Sequence, residues 1–500
     1  MAMSCSSVPF SVPYLKNVYS EQAMVASGNP LAALAAQDML MRGGSAVDAA
    51  IAADAVMGVV EPMATSIGGD LLAMLYLPEG KVISYNGTGR SPQGLLPERV
   101  QALPAGRIPE RHPLSVTVPG AVQGWHDLHT AYGRLPWPML FEHAITHARS
   151  GFQVAPVSAR EWAIFAHVLR TDAYCARLYQ ADAPPKAGDT CSNPELANLL
   201  EQIAQQGPQA FYQGWVPQAA AHAVQAHGGV LAARDFHTHT GYFCEPVSAM
   251  FHGYTVHQCP PNTHGVAVLT ALQDIEAYGG EPDAASTWVH LVQATSRAMK
   301  QAAQTVQDPA GNTVCTVVVD TDGLAMTLMS SIFKRFGCGI AVPGAGFVLQ
   351  NRGFGFAAPG GINGAGPGRR PYHTVVPGIT TYQGQFCLGM GVVGGLMQPQ
   401  GQIQILTRVL AWNHDLEQAL NAPRMRLEAH DTLAIEQGTS PGLVQALRTA
   451  GYAEPPVTAG ELAGRSDFGG AHAVLRRADG RLQGVADPRK DGIALAVNFH

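Results

Sequence analysis

The residues with the clearest chemical promise lie past the middle of the 500-residue chain, in Asn312-Thr313-Val314-Cys315-Thr316-Val317-Val318-Val319-Asp320. A threonine hydroxyl is a poor nucleophile without a neighbouring base, but a threonine at a chain N-terminus carries that base as its own α-amine. Cleavage of the Asn312–Thr313 bond would create such a terminus and leave segments 1–312 and 313–500. Taken by itself the same β-prone run reads as an ordinary strand and nothing more, so other parts of the chain must agree before cleavage is inferred.

Rival chemistries are thinner. Gly389-Met390-Gly391-Val392-Val393-Gly394 satisfies G-x-G-x-x-G and has Asp415 at about the spacing of a ribose-binding acid. A dinucleotide site also needs a helix at the third glycine, and there Pro399 and a Gln-rich stretch intervene; Asp415 sits at a helix start. His237 and His239 flank a threonine, but two histidines without a third ligand make a poor metal site. No G-K-[ST] loop occurs. The chain is expected to need no metal and no cofactor.

The elements that must position Thr313 are legible in part. Asn29-Pro30 opens a helix with Leu31, Leu34, Ala35 and Met39 as its apolar positions, and Gly43-Gly44 stops it. Ser45, with Asp48 in capping-box position, starts a second helix that runs to about Val60. Strands are predicted over 71–77 and 81–85 as a hairpin, then over 314–320, 325–331 and 385–390. A mostly helical stretch spans 119–226, another helix is predicted over 279–310, and 359–371 is a Gly/Pro-rich loop that could cover the site. Strands, then helices, then strands again predict a layered sandwich.

With 46% hydrophobic and only 14% charged residues, the chain can bury a large core. A net charge of −6 without any Lys/Arg run argues against nucleic acid or an anionic membrane as partner and favours a small molecule. The start of the chain lacks a basic segment followed by an apolar one, and no stretch is long enough to span a bilayer, so a cytoplasmic protein is expected. Cysteines at 5, 175, 191, 244, 259, 315, 338 and 387 form no CxxC pair, as expected for reduced thiols.

Met24-Val25-Ala26-Ser27-Gly28-Asn29-Pro30-Leu31, Gly43-Gly44-Ser45-Ala46-Val47-Asp48-Ala49-Ala50 and Val60-Glu61-Pro62 resemble the opening of the gamma-glutamyltransferase family of N-terminal-nucleophile hydrolases. Phe211-Tyr212-Gln213-Gly214, Pro260-Pro261, Arg370-Pro371, Gly394-Gly395 and Ala486-Asp487-Pro488-Arg489 continue the resemblance in family order, from about residue 20 to 495. The resemblance implies an α+β fold, a four-layer αββα sandwich made from one precursor that cuts itself before a threonine. Thr313 falls at that position. Residues 1–312 would then form the large subunit and 313–500 the small one, both within one αββα unit, with a dimer of such units as an expected assembly.

The resemblance also assigns roles. Thr313 would attack an amide carbonyl and form an acyl-enzyme that water opens, its α-amine moving the proton. Ser331 would hydrogen-bond the nucleophile, and Gly394 and Gly395 would supply the backbone N–H groups of an oxyanion hole. Departures from the family's best-known members concern the substrate. Thr88 stands where those members hold the α-carboxylate with arginine, and Arg90 comes two residues later. Gln350-Asn351-Arg352-Gly353-Phe354-Gly355-Phe356 lacks the acidic pair that holds an α-amine, and His373-Thr374 replaces a Ser-Ser. These segments, with Gly68-Gly69-Asp70 and Phe336-Gly337-Cys338-Gly339, look similar to the family's oxamate amidohydrolase-like branch. Arg90, Asn351, Arg352, His373 and Thr374 are therefore the expected substrate-binding residues, on a small acyl amide or oxalyl-like acid, in a catabolic or a biosynthetic role. A gamma-glutamyl hydrolase or transferase is the alternative, and an uncut, noncatalytic binding protein is the third reading.

Overall fold

Strands Ala23–Ser27, Asp70–Tyr76, Val82–Asn86 and Ala325–Phe333 are buried at every position, so their sheet must be covered on both faces. The computed structural model, which describes residues 17–305, 312–428, 432–452 and 468–498, shows what covers it. One seven-stranded sheet runs in the order Ile493–Val497, Ala23–Ser27, Asn312–Val319, Ala325–Phe333, Asp70–Tyr76, Val82–Asn86, Tyr242–Cys244. A second runs Val18–Ser20, Leu482–Ala486, Gly470–Arg476, Gln385–Val393, Gly378–Tyr382, Tyr254–Gln258, Val247–Phe251. The two face each other across an apolar layer that includes Met24, Leu72, Cys315, Val317 and Met329 from the first sheet and Ile379, Phe386 and Val474 from the second.

Helices close both outer faces. Pro30–Met41, Ala46–Val60 and Ala121–Tyr132 share the core of the first sheet's outer side, and Gly265–Tyr278, Ala285–Thr305 and Met397–Leu406 that of the second. This is the expected αββα sandwich. Among the described residues no helix is long and apolar enough to cross a membrane.

Local chemistry explains the first two helices. The Asn29 side chain accepts from the Leu31 N–H at 3.0 Å with Pro30 in the first turn, and Ser45 and Asp48 form the predicted capping box. Ala46–Val60 is buried all round, which is why its sequence shows no apolar stripe. Two expectations are corrected. Leu34 is 49% exposed, because Ala32, Ala33 and Ala36 make the packed face. The helix expected over 279–310 starts later, as Ala285–Thr305, with 306–311 outside the described residues, and an unpredicted helix, Gly265–Tyr278, precedes it, capped by Gly279 in the left-handed region at φ 64.

Met397–Leu406 lies between the second sheet and its outer core, and its four glutamines are all buried. Gln400 and Gln404, one turn apart, act as backbone mimics. Gln404 accepts from the Met425 N–H and donates to the Met425 carbonyl, and Gln400 does the same for Leu427. A strand edge is thereby satisfied by side chains.

Candidate active site

Antiparallel register builds a row of polar side chains at one end of the first sheet. Ser331 pairs with Asp70, and on the other side of Ala325–Phe333 a bulge between Asn312 and Val314 places Thr313 at the same end. Alternation along each strand decides which neighbours face inward. Ser330 faces the outer helices, donating to Asp54 and bonding Thr65 at 2.8 Å, whereas Ser331 accepts from Arg352 Nη2 at 2.9 Å. Gly69 permits this register, since a Cβ there would lie 2.5 Å from the Ser331 carbonyl oxygen.

Thr313 is 2% exposed, and its Oγ1 accepts a 2.7 Å hydrogen bond from Gln398 Nε2. The orientation of that amide is fixed from its other end. Gln398 Oε1 lies 3.1 Å from the Val376 backbone N–H, which can only donate, so the oxygen must face Val376 and the NH2 must face Thr313. Gln402, one turn on, donates to the Val376 carbonyl and holds the same segment from the other side. Sequence reasoning missed Gln398. Its signal was the spacing of 398, 400, 402 and 404, which was read only as an obstacle to a helix.

Deeper in the row, Asp70, Arg352, His373 and Thr374 are buried. Asp70 Oδ1 accepts from the Gly89 N–H at 2.8 Å and from Gln350 Nε2 at 2.9 Å. Its Oδ2 lies 3.4 Å from His373 Nε2 and 4.0 Å from Arg352 Nε. Burial alone would raise the Asp70 carboxyl, but the His373 contact and the Arg352 guanidinium outweigh it and hold the group below its ordinary range. Burial and the Arg352 charge push His373 down to about 4, so its ring is neutral at pH 7. Burial lowers Arg352 to about 9, which leaves it a cation. The guanidinium also lies 4.1 Å from the centroid of the Phe333 ring, which a left-handed φ of 77° at Phe333 turns beneath it. Asp70 thus compensates Arg352. The segment around Arg352 lacks an acidic pair of its own, and the carboxylate that stands beside it comes from 282 positions earlier in the chain.

The other expected site residues divide. Thr374 Oγ1 is 3.5 Å from Arg352 Nη1, within the row. Asn351 is buried beside it, but its amide is spent on the Lys334 N–H and the Glu110 carbonyl, so it shapes the loops. Arg90 is not brought to the row: it is exposed and donates to the Gly368 carbonyl at 2.9 Å. Through Arg90, and through Ser91 to Gly366 and Arg369, the Gly/Pro loop 359–371 is tied down. Gly394 and Gly395 follow strand Gln385–Val393 with φ of 112 and 65, and among the described residues the N–H of neither donates a hydrogen bond. Positive φ at two successive residues requires glycine here and turns backbone donors outward from the strand end.

The rival motifs also have places. A helix, Met397–Leu406, does begin shortly after Gly394, with Pro399 in its first turn, contrary to the expectation. Asp415 is spent as the N-cap of Leu416–Asn421 and as acceptor for Gln483. His237 is exposed, while His239 is buried and stacked on Tyr212 at 5.5 Å. Among the described residues no group of three His, Cys, Asp or Glu is placed to hold a metal.

A recess adjoins the strand that begins with Asn312 and Thr313. Thr313, Val314 and Cys315 line it together with Glu61, Arg335, Val393, His472 and Lys490, around a narrow space that is partly open to solvent.

Known proteins share this architecture over nearly the whole chain. The family model described as gamma-glutamyltranspeptidase matches residues 32–314 and 309–497. The glutathione hydrolase-like YwrD proenzyme of Bacillus subtilis is 30% identical over 96% of this chain and 100% of its own. The oxamate amidohydrolase proenzyme of Klebsiella pneumoniae is 28% identical over 95% of this chain and 98% of its own. The crystal structure of cephalosporin acylase from Bacillus halodurans superposes with a TM-score of 0.91 at 30% identity, covering 99% of this chain and 100% of that one. Two of these relatives are named as proenzymes. The chain is an enzyme that belongs to the gamma-glutamyltranspeptidase family.

Proposed function

We propose that the chain is a self-processing threonine hydrolase, cut between Asn312 and Thr313 into segments 1–312 and 313–500, that cleaves the amide bond of a small acyl amide or oxalyl-like acid. The observation that carries this reading is the Thr313 hydroxyl, held by an amide whose orientation the Val376 N–H dictates, in the same row as Ser331. After cleavage the Thr313 α-amine takes the hydroxyl proton as Oγ1 adds to the substrate carbonyl. The Gly394 and Gly395 N–H groups stabilise the oxyanion, the amine leaves with the proton, and water then opens the acyl-enzyme. Arg352, with Thr374 and Ser331 around it, meets the acidic end of the acyl group. His373, neutral at pH 7, orders Asp70 beside it. The free thiols among the described cysteines support a cytoplasmic setting.

A second reading, a gamma-glutamyl hydrolase or transferase, is favoured by one observation: Asp70 Oδ2, buried and without a hydrogen bond, is an acceptor for a substrate amine. Turnover of oxamate and of a gamma-glutamyl anilide, measured side by side on cleaved enzyme, separates the two. Release of ammonia from oxamate with an inert anilide supports the first reading. Rapid turnover of the anilide with inert oxamate overturns it.

A further inference from the structure

Self-cleavage poses a problem that later catalysis does not. Before the cut the Thr313 nitrogen is an amide, so the base on which an N-terminal threonine relies does not yet exist. Gln398 cannot supply it, because its NH2 is the group that faces Thr313 and an amide does not take up a proton at ordinary pH. With Oγ1 accepting from Gln398, the hydroxyl's own proton is committed to no acceptor among the described residues.

The recess beside the strand holds the remaining candidates. Lys490 is paired with Glu161 at 2.6 Å, and Arg335 pairs with the other oxygen of the same carboxylate, so both cations and Glu161 are engaged. Burial pushes His472 down to about 4, which makes it a weak base. Glu61 is different. It ends helix Ala46–Val60 with its backbone N–H bonded to the Met57 carbonyl, which fixes where its side chain starts. Among the described residues nothing hydrogen-bonds its carboxyl, and it lines the same recess as Thr313.

We propose that Glu61 accepts the Thr313 hydroxyl proton during self-cleavage, relayed by solvent in the recess that the two residues share. Oγ1 adds to the Asn312 carbonyl carbon as its proton passes to Glu61. The C–N bond then breaks, the Thr313 nitrogen takes that proton back, and an ester joins Asn312 to Oγ1. Water hydrolyses the ester, which gives the Asn312 carboxyl, the free hydroxyl and the α-amine, one water being consumed in all. Burial pushes Glu61 up to about 8, with the Lys490 and Arg335 charges opposing and those of Asp491 and Glu161 reinforcing. His472 and the Cys315 thiol, the latter pushed up by burial, are the other titratable groups lining the recess. A carboxyl of that kind is a far better base once ionised than an ordinary carboxylate. This step rests on the reading that the chain cuts itself before Thr313.

The test follows cleavage of the full chain made by cell-free translation and diluted into buffers from acid to alkaline pH. The wild-type rate is expected to rise with pH and level off above about pH 8. Glu61→Gln is expected to slow cleavage roughly 100-fold and to abolish the level region, with Glu61→Asp restoring part of both. Glu61→Gln cleaving at the wild-type rate with an unchanged profile overturns the proposal. Should that variant not fold, the wild-type profile decides, because a rate climbing without limit into alkaline pH means hydroxide is the base and overturns it as well. A wild-type chain that never cuts overturns the parent reading along with this step, which distinguishes the two failures.

Discussion

Gln398 is held by a backbone N–H that cannot reverse its role, and that single constraint decides what faces Thr313. Gln398→Ala therefore removes a hydrogen bond to the Thr313 hydroxyl while leaving the Thr313 side chain itself intact. The expected loss is about 1–2 kcal/mol of barrier, roughly tenfold in kcat on any amide the enzyme turns over. An unchanged kcat would take Gln398 out of the site. Thr313→Ala is expected to leave a folded, uncut chain of 500 residues, visible as a single band in a denaturing gel. Arg352→Ala leaves Asp70 buried without its cation and should cost about 3–5 kcal/mol, read as a lowered melting temperature, whereas Arg90→Ala, at an exposed residue, should barely move it.

At the scale of elements, the strand row and the helix Met397–Leu406 share one site, and they differ in how far the sequence announced them. Strands Asn312–Val319 and Ala325–Phe333 were legible because apolar β-prone residues fill them, and the Ser45–Asp48 capping box marked its helix at once. The place of Gln398 and the approach of Arg352 and His373 to Asp70 were not, because they arise through register and packing between segments far apart in the chain, which no local pattern records. Strands Gly378–Tyr382, Gly470–Arg476 and Ile493–Val497 went unread as well, since their burial depends on a second sheet that only the fold supplies. The glutamine pair on that helix offers a direct check: Gln404→Ala strips the partners from both backbone groups of Met425 and is expected to destabilise by about 1–3 kcal/mol, seen in thermal melts.

Across the whole molecule, acid is the condition to which the fold should be most sensitive. His239, His373 and His472 are pushed down to about 4 and His264 to about 3, all by burial first. Each is neutral when folded and takes a proton near its ordinary value when unfolded, so the unfolded state binds more protons between about pH 4 and 6.5, and stability falls as pH falls through that window. Asp54, raised to about 6, and Glu61, raised to about 8, work in the opposite direction. With His257, also pushed down to about 4 by burial, a net of roughly two to three protons remains, or about 3–4 kcal/mol per pH unit near pH 5. Melting temperature against pH should show this decline; a flat profile from pH 7 to 5 would contradict it. The sheets themselves bear on assembly. Asn312–Val319 pairs with Ala23–Ser27, and Ala325–Phe333 with Asp70–Tyr76, so strands on either side of the proposed cut lie in one sheet. The two segments should therefore elute together in native gel filtration and part only in denaturant.

The central claim is the cut itself, and an intact-mass spectrum of the purified protein, denatured and reduced, tests it most directly. The account predicts two chains, one ending at Asn312 and one beginning at Thr313. A single uncut chain, or a cut at another bond, would contradict it.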